Sequence, residues 1–375
     1  ILSPWQLKRL SEHKYSASGT SLFEPIMQIF WRWLVEHVPL WWAPNAITIV
    51  GLLVNILTTL ILAYYSPDCK QEISTTSIII IIIIIKFYYY YYFFIILHCV
   101  ILLSHLPSSL GTVILGASIV LQLGTVPGWL LAENLASYFL FYCAHWQTYV
   151  CGTLKFGKLD VTEGQIVVIL VCMLTAVFGP GIWTYELPVL HIQFKLVPVY
   201  AMFFGAILML KEAFHVIFMQ GGVGKNGSTV AGTSTIFPVF PIMSVVVLAV
   251  IIQQKSPSMV FENHPCVYLL AFGLLSAKIT NRLVVAHMTK SEMDLWDTGL
   301  IGPAALFLNQ YFNCWLDEHL VLWFCLIWVL FDLLRYSTVV CQEICEHLRI
   351  YCFVITSRPP QAKESKDSSN NGASS

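Results

Sequence analysis

The sequence predicts an all-α polytopic membrane protein of about ten transmembrane helices, preceded by an amphipathic helix lying in the membrane interface. Three observations carry this. Of 375 residues, 57% are hydrophobic and only 11% charged, against about 25% charge in soluble domains. The mean hydropathy is +0.72, and apolar runs of membrane-spanning length recur along almost the whole chain. Those runs are too long for barrel strands, and backbone amides in hydrocarbon must be paired internally, so helices are the default. A soluble multidomain enzyme is thereby excluded. A net charge of −1 also argues against nucleic acid as a partner, since phosphate binding needs surplus Lys and Arg.

Taken in order, the chain opens at Ile1 with neither Met nor a signal-peptide pattern, so its true N-terminus is expected upstream. Residues 1–44 read as a cytosolic and interfacial segment. Within it, 21–42 alternates bulky apolar residues with a few charges and carries Trp31, Trp33, Trp41 and Trp42. Indole rings favour the headgroup region, which suits a helix lying in the interface; packing on a protein partner is the alternative. A bundle over 45–341 follows, with spans expected near 45–65, 77–103, 106–124, 129–150, 163–184, 196–218, 236–253, 266–287, 298–316 and 319–341. Residues 342–375 read as a cytosolic tail, disordered from about 357, where Ser, Asn, Lys and Pro dominate.

Orientation follows from the cations. With the N-terminus inside, cytosolic segments hold twelve Lys and Arg residues and the opposite side only Lys70, Lys195 and Lys255. That asymmetry predicts both termini in the cytosol and an even number of spans.

One stretch differs from the rest. Ile78 to Ile85 is an unbroken isoleucine run, followed by Lys86, Phe87 and five tyrosines, Tyr88 to Tyr92. It lacks the small residues that bring membrane helices together. A repeated ATT triplet encodes Ile in one frame and, as TAT, Tyr in another, so 73–107 reads as translated non-coding sequence. A lipid-facing helix is the alternative.

The informative polar residues lie at span ends. Pro44 suits a first helical turn, and Asn45 and Thr48 share a face at i, i+3; helix-start residues are the plainer reading. His145 sits in Ala144-His-Trp-Gln-Thr-Tyr149 at a cytosolic interface, more often a hydrogen-bonded residue than a base. Gly221-Gly-Val-Gly-Lys225-Asn-Gly227-Ser-Thr229 fails the Walker spacing because Asn226 follows Lys225, and reads as a flexible connection with one cation. Lys278 and Arg282, four apart, place two costly cations inside a span. They face the bundle or an aqueous cavity that could take an anionic phosphate group, or pair structurally with Asp332 or Glu212. Eleven cysteines are scattered, most of them in apolar runs as small buried hydrophobes; Cys341 and Cys345 have no His pair at zinc spacing.

At these residues the chain resembles a family. Gln6-Leu-Lys-Arg-Leu10, Glu12-His-Lys-Tyr15, Ala43-Pro-Asn-Ala-Ile-Thr48, Phe141-Tyr-Cys-Ala-His-Trp-Gln-Thr-Tyr149, the Gly221–Thr229 segment, Ser276-Ala-Lys-Ile-Thr280 and Val285-Ala-His-Met-Thr-Lys-Ser-Glu292 are similar to the animal cholinephosphotransferases and their choline/ethanolamine relatives, of the CDP-alcohol phosphotransferase family. The likeness covers about 2–68 and 108–355. It implies a ten-helix enzyme of endoplasmic-reticulum or Golgi membranes. Such an enzyme transfers phosphocholine from CDP-choline, or phosphoethanolamine from CDP-ethanolamine, to diacylglycerol with Mg²⁺ or Mn²⁺, and can act as a homodimer. It also places Asn45 and Thr48 on the nucleotide side, with Lys278 and Arg282 as further substrate-binding candidates.

The departure from the family is equally sharp. The family's chemistry resides in Asp-Gly-x2-Ala-Arg-x8-Gly-x3-Asp-x3-Asp, expected between Asp68 and Ser108. No Asp-Gly or Ala-Arg pair occurs in this chain, and no carboxylate lies between Ile73 and Ala132. The sequence therefore predicts a family member without catalytic or metal-binding residues. Two other readings compete: a non-catalytic membrane homologue that binds lipid or pairs with an active relative, and a transporter or channel, which lacks paired broken helices in matching halves.

Overall fold

Apolar runs with a start signal become helices in the computed structural model, which describes residues 1–14, 16–37, 43–74, 106–155, 157–188 and 191–353. Pro at the first turn opens α1 (Pro4–Glu12), α3 (Pro44–Tyr65), α5 (Pro127–Cys151) and α9 (Pro265–Thr289), where its missing N–H costs no hydrogen bond. Between them lie α2 (Glu24–Val35), α4 (Leu106–Val120), α6 (Val161–Phe178), α7 (Leu196–Phe214) and α8 (Val239–Lys255). The chain closes with α10 (Ile301–Tyr311) and α11 (Glu318–Leu348). Two short strands, β1 (Ala17–Ser18) and β2 (Leu154–Lys155), pair in parallel and dock the N-terminal segment beside the end of α5. The Ile/Tyr runs, Trp41, Trp42 and the tail from 357 lie outside the described residues.

The protein is an all-helical membrane protein. Among the described residues three helices are long and apolar enough to cross a bilayer: Leu196–Gln220, Pro265–Thr289 and Glu318–Leu348. Several helices stop short of the expected boundaries for local reasons. α4 ends at a left-handed Gln122, α6 at Gly179-Pro180, and α7 gives way to a π-helical turn, His215–Gln220. α10 ends early because Asn309 folds 312–317 back over it, donating to Leu316 O at 2.9 Å and accepting from Leu316 N at 3.0 Å.

Loop contacts sort the chain into two ends. At one, Arg9 donates to Lys290 O, Asn45 to Cys352 O, Val223 N to Val150 O and Tyr149 Oη to Ser291 O. At the other, Gly124 N donates to Cys69 O, Gln122 to Pro180 O and Lys195 Nζ to Thr125 Oγ1. α4 runs parallel to α3: Thr59 donates to Thr112 O, and Gly116 abuts Leu62 and Thr59.

α9 is the central helix. Its burial is not confined to one stripe: the seven consecutive residues from Leu275 to Asn281 are all buried, as a helix enclosed on every side requires. Close approach of its neighbours uses small residues. A methyl group on Gly302 of α10 would sit 3.0 Å from Cys325 Sγ and 3.1 Å from its backbone in α11.

A candidate anionic-substrate site at one end of the bundle

The sequence-predicted cations Lys278 and Arg282 come together on α9. Lys278 Nζ donates to Asp297 Oδ1 at 2.8 Å, to Thr298 Oγ1 at 3.0 Å and to Asp332. An ammonium has three N–H groups, and all are taken. The partner is thus Asp332, one of the two expected, joined by Asp297 from the loop before α10. Glu212 lies instead beside Gly157. Thr298 Oγ1 also donates to Asp332, at 2.9 Å, and Gly299 N donates to Asp297 Oδ1 at 2.7 Å. Side chains of Lys278, Asp297 and Asp332 are each at most 4% exposed, so the pairing ties α9, α10 and α11 together in a region where an unpaired charge is costly.

Arg282, one turn further along, is less enclosed. Its Nη1 donates to Asp297 Oδ2 at 2.8 Å and to Trp296 O at 2.7 Å; its Nη2 meets Asp294 Oδ2 at 3.1 Å. These contacts engage three N–H groups and leave the guanidinium further donors. Burial alone would push the Asp297 carboxyl up, but the hydrogen bond and charge of Lys278, the Gly299 N–H and Arg282 together hold it below the usual carboxylate range.

Asp294 and Trp296 also line a cavity of about 620 Å³ with Thr233, Phe237, Glu292, Met293 and Leu295. α5 holds the loops that carry this lining: Tyr142 Oη donates to Pro238 O at 2.5 Å, Trp146 Nε1 to Thr235 O at 2.7 Å, and Tyr149 Oη to Ser291 O at 2.9 Å. The aromatic cluster expected at an interface therefore anchors the loops around the cavity. His145, within it, is buried edge-on to Phe141. His287 is half-buried, edge-on to His13, and its buried Nδ1 is unpartnered among the described residues.

The glycine-rich segment is a folded hairpin rather than a flexible connection. Gly222 N donates to Gly227 O and Gly224 N to Ser228 O, and a Cβ on Gly222 would lie 1.8 Å from Ser228 O. Its Lys225 is exposed and cradles nothing. Asn45 stands apart from the Lys278 cluster: its Nδ2 donates to Cys352 O at 2.7 Å, while its buried Oδ1 has no partner among the described residues. Thr48 lies on the same helix, and its side chain is outside the described residues.

No family model matches the chain. Relatives do: it is 46% identical to Cholinephosphotransferase 1 of Danio rerio, across 98% of both chains. The Xenopus laevis and Homo sapiens proteins of that name are 48% and 45% identical, covering 95% and 94% of this chain and 91% and 89% of theirs. This chain belongs to the cholinephosphotransferase family.

The divalent cation that this cholinephosphotransferase family implies does not fit the residues present. Mg²⁺ needs several oxygen ligands, usually carboxylates. Among the described residues no group of three His, Cys, Asp or Glu side chains could hold a metal. Asp297 and Asp332 are committed to Lys278, Arg282 and Thr298. Glu133 stands alone, buried near the opposite end of α5 with Ser118 Oγ donating to it at 3.3 Å.

Sequence reasoning overlooked Asp294, Trp296 and Asp297, which looked like ordinary loop residues. The available signal was the charge requirement: two intramembrane cations demand nearby carboxylates, and 292–297 supplies the nearest cluster in sequence.

Proposed function

We propose that this scaffold is built to move phosphocholine from CDP-choline to diacylglycerol, and that the chain as written does not turn over. The first half rests on relatives named cholinephosphotransferase at 45–48% identity across nearly the whole chain. The second rests on one observation, the lack of any carboxylate from Ile73 through Ala132. Displacing CMP builds negative charge on the bridging and phosphoryl oxygens, which metal ions neutralise in such transfers. Arg282, bonded to the cavity residues Asp294 and Trp296, has donors left for a phosphate oxygen, and Asn45 and Thr48 lie on the proposed nucleotide side. Lys278 has no donor left, and its role is to position Asp297 and so Arg282. None of these groups replaces a metal ligand or removes the diacylglycerol hydroxyl proton. Purified chain supplied with CDP-choline or CDP-ethanolamine, diacylglycerol and Mg²⁺ or Mn²⁺ should form no phospholipid above a no-enzyme control; product above that control overturns the proposal.

The second reading, a non-catalytic homologue that still binds substrate or lipid or pairs with an active relative as a homodimer would, is favoured by Arg282's remaining donors beside the cavity. Retention of CDP-choline without turnover supports it.

The topology belongs to the same reading: ten spans over 45–341 in an endoplasmic-reticulum or Golgi bilayer, with both flanking segments cytosolic. The parallel run of α3 and α4 supports an even count, since Ser74 and Leu106 then lie at opposite ends. On α2, Ile26, Ile29 and Trp33 form one exposed face, which suits an interfacial helix. Protease treatment of sealed microsomes should cleave the tail after Ser357; a protected tail refutes this orientation.

A further inference from the structure

We propose that Cys69 and Cys266 form a modification site, a thiol pair that oxidises to a disulfide joining the loop after α3 to the first turn of α9. The two sulfurs lie 3.5 Å apart although 197 positions separate them in sequence. Both residues are buried, at 0% and 3% exposure. Cys143, Cys172 and Cys325, also buried, sit singly within helices as small hydrophobes.

The backbone around the pair is held on each side. Cys69 has φ +57°, a strained setting for a non-glycine residue. Its N–H donates to Ser66 O at 3.1 Å, its carbonyl accepts from Gly124 N at 2.9 Å, and Gln71 N donates to Ser66 Oγ at 3.0 Å. A Cβ on Gly124 would stand 2.0 Å from Asp68 O, so this close approach is built into the chain. Cys266 Sγ also points at Ser66 O, at 3.8 Å. Bonding requires the sulfurs to approach by about 1.5 Å, to roughly 2.04 Å.

The inference rests on the topology above, which puts this end of the bundle in the oxidising lumen, where disulfides form and persist. The oxidant is a small or protein disulfide, such as glutathione disulfide. One cysteine thiolate attacks a sulfur of the donor and expels the first thiolate; the second cysteine thiolate then attacks the mixed disulfide and expels the other. Two electrons pass to the donor, and the two cysteine protons end on its two thiols. Burial and the neighbouring thiol push the Cys69 thiol up, which slows attack once the loop has closed, so the bond forms as the loop docks during folding.

The test counts thiols in the full chain expressed in cells and alkylated in situ. After denaturation, a maleimide–polyethylene-glycol label should add two increments only when reductant precedes it. Cys69→Ser and Cys266→Ser should each abolish both increments, whereas Cys143→Ser should leave them. Labelling that does not depend on reductant overturns the proposal. A membrane-impermeant maleimide applied to sealed microsomes carrying Lys70→Cys in the Cys69→Ser/Cys266→Ser background separates the causes. Protection with free native thiols means the pair itself is wrong; reaction means the topology was wrong and the pair falls with it.

Discussion

Replacing Lys278 by Met removes a buried cation and leaves its two aspartates in place. The cost falls unevenly. Asp297 keeps Arg282 at 2.8 Å and Gly299 N at 2.7 Å. Asp332 keeps Thr298 and, among the described residues, one cation, Arg335, which is 3.6 Å away with a side chain 58% exposed. Breaking a buried pair on one side costs about 3–5 kcal/mol. With roughly 2.1 cal/mol/K of unfolding entropy per residue over 375 residues, about 4 kcal/mol lowers Tm by about 5 °C. Asp332→Asn alone should cost less, because Lys278 keeps Asp297. Adding it to Lys278→Met removes the orphaned charge and should restore about 2 kcal/mol, or 2–3 °C, a coupling typical of directly contacting residues. The assay is heating of detergent-solubilised protein at one fixed scan rate, since unfolding of such proteins is irreversible, with folded material read by size-exclusion chromatography. A Lys278→Met variant within 1 °C of the parent, or a double variant as low as the sum of the singles, would refute the claim that Asp332 depends on Lys278.

Other outcomes follow from the same geometry. Asp297 is held below its ordinary carboxylate range, so it contributes stability above the unfolded value near 3.8 that is lost as pH falls through the folded one; Tm should be flat from pH 7 to 5 and drop below about 4, and Asp297→Asn should flatten that acid limb. Gly124→Ala drives a methyl group into the Asp68 carbonyl and should cost about 1–3 kcal/mol, read as lower Tm and yield. Asn45→Ala frees the Cys352 carbonyl from its 2.7 Å donor and should cost about 1 kcal/mol; an unchanged Tm would count against that contact. Replacing 73–107 with a relative's Asp-Gly-x2-Ala-Arg segment should create metal-dependent phosphatidylcholine synthesis, and failure would show that the remaining scaffold is not a competent frame.

Helix positions were legible because burial on all sides or in lipid writes long apolar runs, and starts were legible to within two residues at Pro44 and Pro127, whereas Gly179-Pro180 ends α6 inside the expected 163–184 span. α1 was missed as an element although Ser3-Pro4-Trp5-Gln6 carries a capping box, with Ser3 and Gln6 bonding reciprocally. Its Leu10 packs with Val284, Met288, Val340 and Ile344, a contact no local pattern announces. The site was half legible: Lys278 and Arg282 stand out because charge in a span is rare, and Asp332 was a named partner. Asp297 was not, because a carboxylate in a loop is unremarkable until the fold carries it to a cation. The Cys69–Cys266 pair was illegible for the same reason, each cysteine being an ordinary apolar residue in its own neighbourhood.

On the reading proposed above, the carboxylates near the cavity do not substitute for the motif. A catalytic metal needs anionic oxygens held close together and not already neutralised. At this end of the bundle Asp297 and Asp332 converge, but on Lys278, and Asp294 is engaged by Arg282. Freeing them by removing Lys278 would not yield a metal site. Asp297 would remain paired with Arg282, Asp332 would be left with Arg335, and a third ligand would still be lacking among the described residues. The cluster's charges nearly cancel, which suits holding three helices together in a low-dielectric region. A site for metal and pyrophosphate requires the opposite, a surplus of negative oxygens before the ions arrive. On that reading the surplus can enter this fold only through new residues, and the stretch from Ile73 to Ala132 has none to offer.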